Sequence, residues 1–153
     1  MLAKPYAVLC SKVIAAPPAE VRALIADLRE WNLWSPWEAR DPYLNRRFSN
    51  PSAGAGAWFE WNGNLRAGAG RIEILQASDD AISLDVVWHR PFRGEQQMEF
   101  RLDPCDSDTR VTWTMHGEIS GAARLAAFIF PMSRIHGPTF ERGLARLKSV
   151  SER

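Results

Sequence analysis

Three segments between residues 82 and 116 alternate apolar and polar side chains with a period of two. Ile82, Leu84, Val86 and Trp88 alternate with Ser83, Asp85, Val87 and His89. Met98, Phe100 and Leu102 alternate with Gln97, Glu99 and Arg101, and Val111, Trp113 and Met115 with Thr112, Thr114 and His116. That period belongs to strands with one face on a core and one face wet, the pattern of an antiparallel meander. A sheet with one apolar face needs a cover. Residues 133–151 offer one, because Ile135, Phe140, Leu144, Leu147 and Val150 share a helical stripe. An antiparallel sheet curled around a long C-terminal helix is the simplest closure.

The rest of the chain fits that plan. Residues 6–14 read as a first strand that stops at Ala16-Pro17-Pro18. Proline suits the first turn of a helix, and Val21, Leu24, Ile25 and Leu28 then follow at helical spacing over residues 18–28. Trp31, Trp34 and Trp37 come next, broken by Ser35-Pro36, in a short helix or tight turn. Each indole that leaves water buries roughly 150–250 Å². We expect Trp34 and Trp37 to close the sheet against the first helix, with at most one indole edge reaching a cavity. Residues 46–48, 57–61 and 71–75 are further strands, with turn signals at Asn62-Gly63-Asn64 and Asp79-Asp80. A short apolar element over residues 122–130 precedes Pro131 and the last helix. Neither repeats nor a linker appear, so one domain over residues 1–153 is expected.

Composition narrows the classes of function. A net charge of +1 and scattered Lys and Arg argue against nucleic acid as a partner, which needs a concentrated basic surface. Two cysteines, Cys10 and Cys105, are too few for a disulfide framework and have no metal spacing. The histidines His89, His116 and His136 share no ligand spacing either, so no metal and no cofactor are expected. No run approaches the roughly 20 apolar residues of a membrane span, and Lys4 and Lys12 interrupt any signal-peptide core. A cytoplasmic location is the expectation.

The order of elements resembles the helix-grip fold of the START/SRPBCC superfamily, to which the birch-pollen-allergen-like proteins belong. More narrowly, the chain is similar to bacterial polyketide cyclase/dehydrase-like SRPBCC proteins. The residues that carry the resemblance begin with Ile14-Ala-Ala-Pro-Pro-Ala-Glu-Val21, Leu33-Trp-Ser-Pro-Trp37 and Asp41-Pro42. Gly54-Ala-Gly56, Trp61-Asn-Gly-Asn64, Gly68-Ala-Gly70 and Pro91-Phe92 follow. Thr109-Arg-Val-Thr-Trp113 with Gly117, and Phe140-Glu-Arg-Gly-Leu-Ala-Arg-Leu-Lys148, complete the set. The resemblance implies an α+β fold with a cavity between the sheet and the C-terminal helix, a cavity that relatives use for lipids, hormones or polyketides. Many relatives start with a hydrophobic anchor; this sequence shows none, and no stable membrane anchor is expected.

Function must be argued from the site. No phosphate loop, nucleophile elbow or zinc-protease motif is present. Seven tryptophans in one small domain point to a cavity for a small hydrophobic or aromatic molecule. The expected lining is Trp34, Phe59, Trp61, Trp88, Phe92, Met98, Phe100, Trp113, Met115, Phe128, His136 and Phe140, with Phe128 and Phe130 at its mouth. A filled aromatic core is the simpler alternative. An enzyme of cyclase or dehydratase type would need a titrating group in the cavity, and Glu60 and His136 are the candidates. Glu60 stands between Phe59 and Trp61, and a one-residue slip decides whether it enters the cavity as a desolvated acid or faces out with Trp58. Glu38 and Asp41 are further carboxylates near the tryptophan run, Asp41 more simply a turn residue. His89 and His116 fall on the face opposite Trp88 and Met115 and should meet solvent. A third class is an interaction module, like relatives that activate heat-shock ATPases or act as ribosome-association toxins, which would show an exposed apolar patch. A homodimer through a sheet edge or residues 128–132 is compatible with the sequence.

Overall fold

The structure, a computed structural model, describes residues 4–36, 43–65, 67–90, 93–119 and 132–153. The alternating segments form strands β1 (Lys4–Ile14), β2 (Asn45–Phe48), β3 (Trp58–Asn62), β4 (Ala69–Ala77), β5 (Ala81–Arg90), β6 (Gly94–Cys105) and β7 (Asp108–Ile119). They pair in one antiparallel sheet of order β1-β7-β6-β5-β4-β3-β2. Between β1 and β2 lie α1 (Pro18–Ala26) and a 3-10 helix (Leu28–Leu33). The chain ends in α2 (Met132–Ser151). The apolar element expected at residues 122–130, with Phe128 and Phe130, lies outside the described residues, as do Trp37, Glu38, Asp41 and Phe92.

Every inward residue expected from the period-two pattern of β5, β6 and β7 faces the core. Ile82, Leu84, Phe100, Val111 and Trp113 have no solvent exposure. Helix α2 lies along β1 and contributes Phe140, Leu144 and Leu147 to the same core. At Gly143 the packing is tight, and a Cβ there would stand 2.9 Å from Pro36 Cδ and 3.0 Å from Trp113 Cζ3. Phe140 stacks flat on Trp113, with ring centroids 4.0 Å apart.

The tryptophan run ends α1. The last carbonyls of an α-helix lack intrahelical partners. Here Trp34 Nε1 donates to Leu24 O at 2.8 Å and Trp31 Nε1 to Ile25 O at 2.9 Å, while Gly54 N donates to Ala26 O. Asp27 then caps the 3-10 helix by accepting from Arg29 N. Residues three apart eclipse in a 3-10 helix, so Trp31 and Trp34 both turn inward, their centroids 4.7 Å apart. Arg146 of α2 donates to the Leu33 and Ser35 carbonyls and ties this segment to the last helix.

Candidate functional site

The sheet's apolar face is filled at one end and hollow at the other. At the filled end Trp34, Phe100, Trp113 and Phe140 are all completely buried. Trp34 meets Phe100 and Trp113 edge-on at 5.7 and 5.8 Å, and Phe100 stacks on Trp113 at 4.7 Å. These four expected lining residues form solid core and do not border the cavity. Each is packed against another ring of the set.

The hollow end holds a cavity of about 50 Å³. A water needs roughly 10–15 Å³ on that measure, so the space suits a compact group such as a ring or a short chain. Its walls come from the middle of the sheet and from the segment after α1. Phe59, Trp61, Trp88, Met98 and Met115 are expected lining residues that the fold brings together there. Trp31, Ser35, Leu44, Ala67, Ile72, Val86 and Gln96 also line it and were not expected. The alternation of β4 and β5 already marked Ile72 and Val86 as inward. The three-residue spacing of Trp31 and Trp34 was the signal for Trp31.

The cavity presents carbon rather than polar edges. The three indoles in its wall all donate their N–H to protein acceptors: Trp31 to Ile25 O, Trp61 to Ala67 O at 2.9 Å, and Trp88 to Gln96 Oε1 at 3.0 Å. Trp61 and Trp88 meet edge-on at 5.0 Å, and Phe59 lies parallel to Trp61 at 6.1 Å. Ser35 and Gln96 supply the polar side chains of the wall. Among the described residues no ionisable side chain lines it.

Glu60 takes the outward position, which corrects its candidacy as a cavity acid. Its carboxylate pairs with Arg71 Nη1 at 3.3 Å and Arg47 Nη1 at 3.5 Å on the opposite face of the sheet. The cause is the register of β3 on β4, in which Glu60 faces Arg71 and Phe59 faces Ile72. In this register an inward Glu60 would bring Arg71 and Glu73 inward with it and expose Ile72 and Ile74. His89 and His116 are exposed, as the alternation requires. His136 falls in the first turns of α2, and its side chain is outside the described atoms; Phe92 and Phe128 lie outside the described residues altogether.

Other groups are conventional. The thiols of Cys10 and Cys105 are free. Burial, and the nearby Glu141 charge, push the Cys10 thiol above its ordinary value, which keeps it protonated and unreactive. Among the described residues no cluster of His, Cys, Asp or Glu could hold a metal ion. No helix there is long and apolar enough to cross a membrane.

An antiparallel sheet wrapped on a long C-terminal helix, hollow at one end, defines the helix-grip class. The sequence matches, over residues 8–152, the family described as polyketide cyclase / dehydrase and lipid transport, and the chain belongs to that family. Solved structures share the fold. Protein CV1439 from Chromobacterium violaceum superposes with a TM-score of 0.68 at 15% identity, covering 96% of this chain and 98% of that one. Norcoclaurine synthase from Thalictrum flavum gives 0.73 at 6% identity, covering 98% and 95%. Ara h 8.0201 gives 0.64 at 11% identity, covering 97% and 96%. At such identities the likeness is one of fold alone. No curated protein matches the sequence.

Proposed function

We propose that this protein binds a small hydrophobic, ring-bearing molecule in the hollow end of the grip. The carrying observation is the carbon-walled cavity, with its three indole N–H groups all engaged by protein acceptors. Such a wall rewards an apolar ring through burial and through stacking against rigid aromatics. Phe59, Trp61, Trp88, Met98 and Met115, together with Trp31, Ile72 and Val86, are the contact residues in this reading. One domain carries the site, and a reducing cytoplasmic location fits the two free thiols.

The binding reading is preferred over the cyclase/dehydratase reading because Glu60 is committed to two arginines on the far face. Calorimetric titration with indole and other small neutral aromatics tests it. Binding is expected in the wild type. Val86→Phe, which pushes a ring into the void, should abolish it. Absence of binding, or equal binding by the variant, would refute the assignment.

A further inference from the structure

Gln96 breaks an apolar row. The inward side chains of β6 run Gln96, Met98, Phe100 and Leu102, and the facing inward row of β5 is apolar throughout from Ile82 to Trp88. Gln96 pairs with Val86 on one side and with Gly117 on the other. Directly paired residues share a face of the sheet. Gln96 therefore stands on the cavity face with Val86, and both border the cavity. It is half-buried there. An amide withdrawn from water costs free energy unless its polar atoms find partners. An aliphatic side chain would continue the row without that cost, so the glutamine calls for an explanation in its hydrogen bonds.

Trp88 Nε1 donates to Gln96 Oε1 at 3.0 Å. An indole N–H can only donate, so this bond fixes which end of the amide faces Trp88. The end turned away from Trp88 is the nitrogen, which carries two N–H groups. Gln96 has a further interaction besides the one with Trp88, and two hydrogens on one nitrogen leave room for more than one partner. The indole donors of the wall are engaged, Trp31 with Ile25 O and Trp61 with Ala67 O. Among the described side chains of the wall, the polar hydrogens that can turn to a ligand are those of the Gln96 amide and the Ser35 hydroxyl.

We propose that Gln96 Nε2 is the polar anchor of the cavity, and that the ligand is a small neutral aromatic molecule with a hydrogen-bond acceptor, such as a carbonyl oxygen, beside its ring. The inference rests on the cavity binding proposed above and adds the ligand's polar group and the residue that orients it. A charged ligand fits poorly, because no ionisable side chain of the described wall would replace its hydration. A group that only donates meets a Gln96 oxygen already engaged by Trp88. An acceptor beside the ring meets the amide N–H while the ring stays on the aromatic wall, which is how a few placed polar groups orient a ligand in an apolar pocket.

The test uses acetophenone and α-methylstyrene, which differ by a C=CH2 in place of the C=O, titrated into the wild type and into Gln96→Met. Methionine keeps an unbranched side chain of similar length. Its thioether can accept the Trp88 N–H, as Met98 Sδ accepts that of Trp113 at 3.4 Å, but it has no N–H to give. The variant should bind acetophenone about tenfold more weakly, the order of cost for an acceptor left unpaired, and should keep the affinity for α-methylstyrene. A second readout needs no variant. The infrared carbonyl stretch of acetophenone bound to the wild type should lie at lower wavenumber than in an alkane solvent, and Gln96→Met should return it toward the alkane position. Equal weakening of both compounds in the variant overturns the inference, since Gln96 would then serve Trp88 alone, and leaves the cavity reading standing. A wild-type stretch at the alkane position overturns it too, as does a lowered stretch that Gln96→Met leaves in place, which assigns the bond to another donor such as Ser35. Binding of neither compound by the wild type defeats the cavity reading and this inference with it.

Discussion

Replacing Trp34 with phenylalanine isolates what the tryptophan run does. The side chain is fully buried, and its N–H is the donor that satisfies Leu24 O at the end of α1. Phenylalanine keeps one ring for the edge-on contacts with Phe100 and Trp113. It removes apolar volume worth roughly two methylenes, about 1.5 kcal/mol at ~0.8 kcal/mol each. It also leaves a helix-end carbonyl without its donor, which costs ~1–3 kcal/mol. Leu24 is only partly buried, and water can reach part of that carbonyl, so the lower end applies. The sum is about 2.5 kcal/mol, a large share of the ~5–15 kcal/mol that holds a domain together. Guanidinium unfolding followed by far-ultraviolet circular dichroism measures it without relying on indole emission. For a chain of this size the melting temperature should fall by roughly 5–10 °C. Because Trp34 does not border the cavity, affinity for a neutral aromatic should not change. A loss below ~1 kcal/mol, or weakened binding in a variant of unchanged stability, would show that the carbonyl cap and the core assignment are wrong.

Two further outcomes follow from the last helix. Gly143→Ala gains about 1 kcal/mol of helix propensity but overpacks the Pro36 and Trp113 contact at a cost of ~1–3 kcal/mol, so the melting temperature should drop; a rise would mean that α2 can shift outward freely. Glu152 is held below its ordinary value of 4.5, first by the Lys148 side-chain hydrogen bond and then by the Ala15 N–H. A carboxyl lowered in the folded state stabilises above its unfolded value and loses that contribution as pH falls through the folded one. Glu152→Gln should therefore flatten stability against pH below 4.5. An NMR titration placing Glu152 at or above the ordinary value would contradict this.

Strands β5 to β7 and helix α2 were readable because each carries one apolar face and a mostly polar one opposite, with Val87 the apolar residue on the outward face of β5. Strand β3 was not. Its aromatics fall on both faces: Phe59 and Trp61 point in, while Trp58 points out, with the Arg71 guanidinium 4.8 Å from its ring. Aromatic content could not choose the register there. The partner strand does, because Ile72 and Ile74 alternate strictly with Arg71 and Glu73 and have to take the core face. The division of the aromatics between solid core and cavity was also beyond the sequence. Trp113 and Trp88 look alike as inward strand residues, yet α2 brings Phe140 flat onto Trp113, and Trp88 borders the cavity. Gly70 pairs with both Trp61 and Trp88, and with no side chain between them the two indoles meet edge-on instead of packing down onto a neighbour. A bulge beside Gly70 in β4 and β5 adds to the local bend. The contact between the two indoles thus follows from a glycine placed opposite both, a pairing that appears only once the strands are in register.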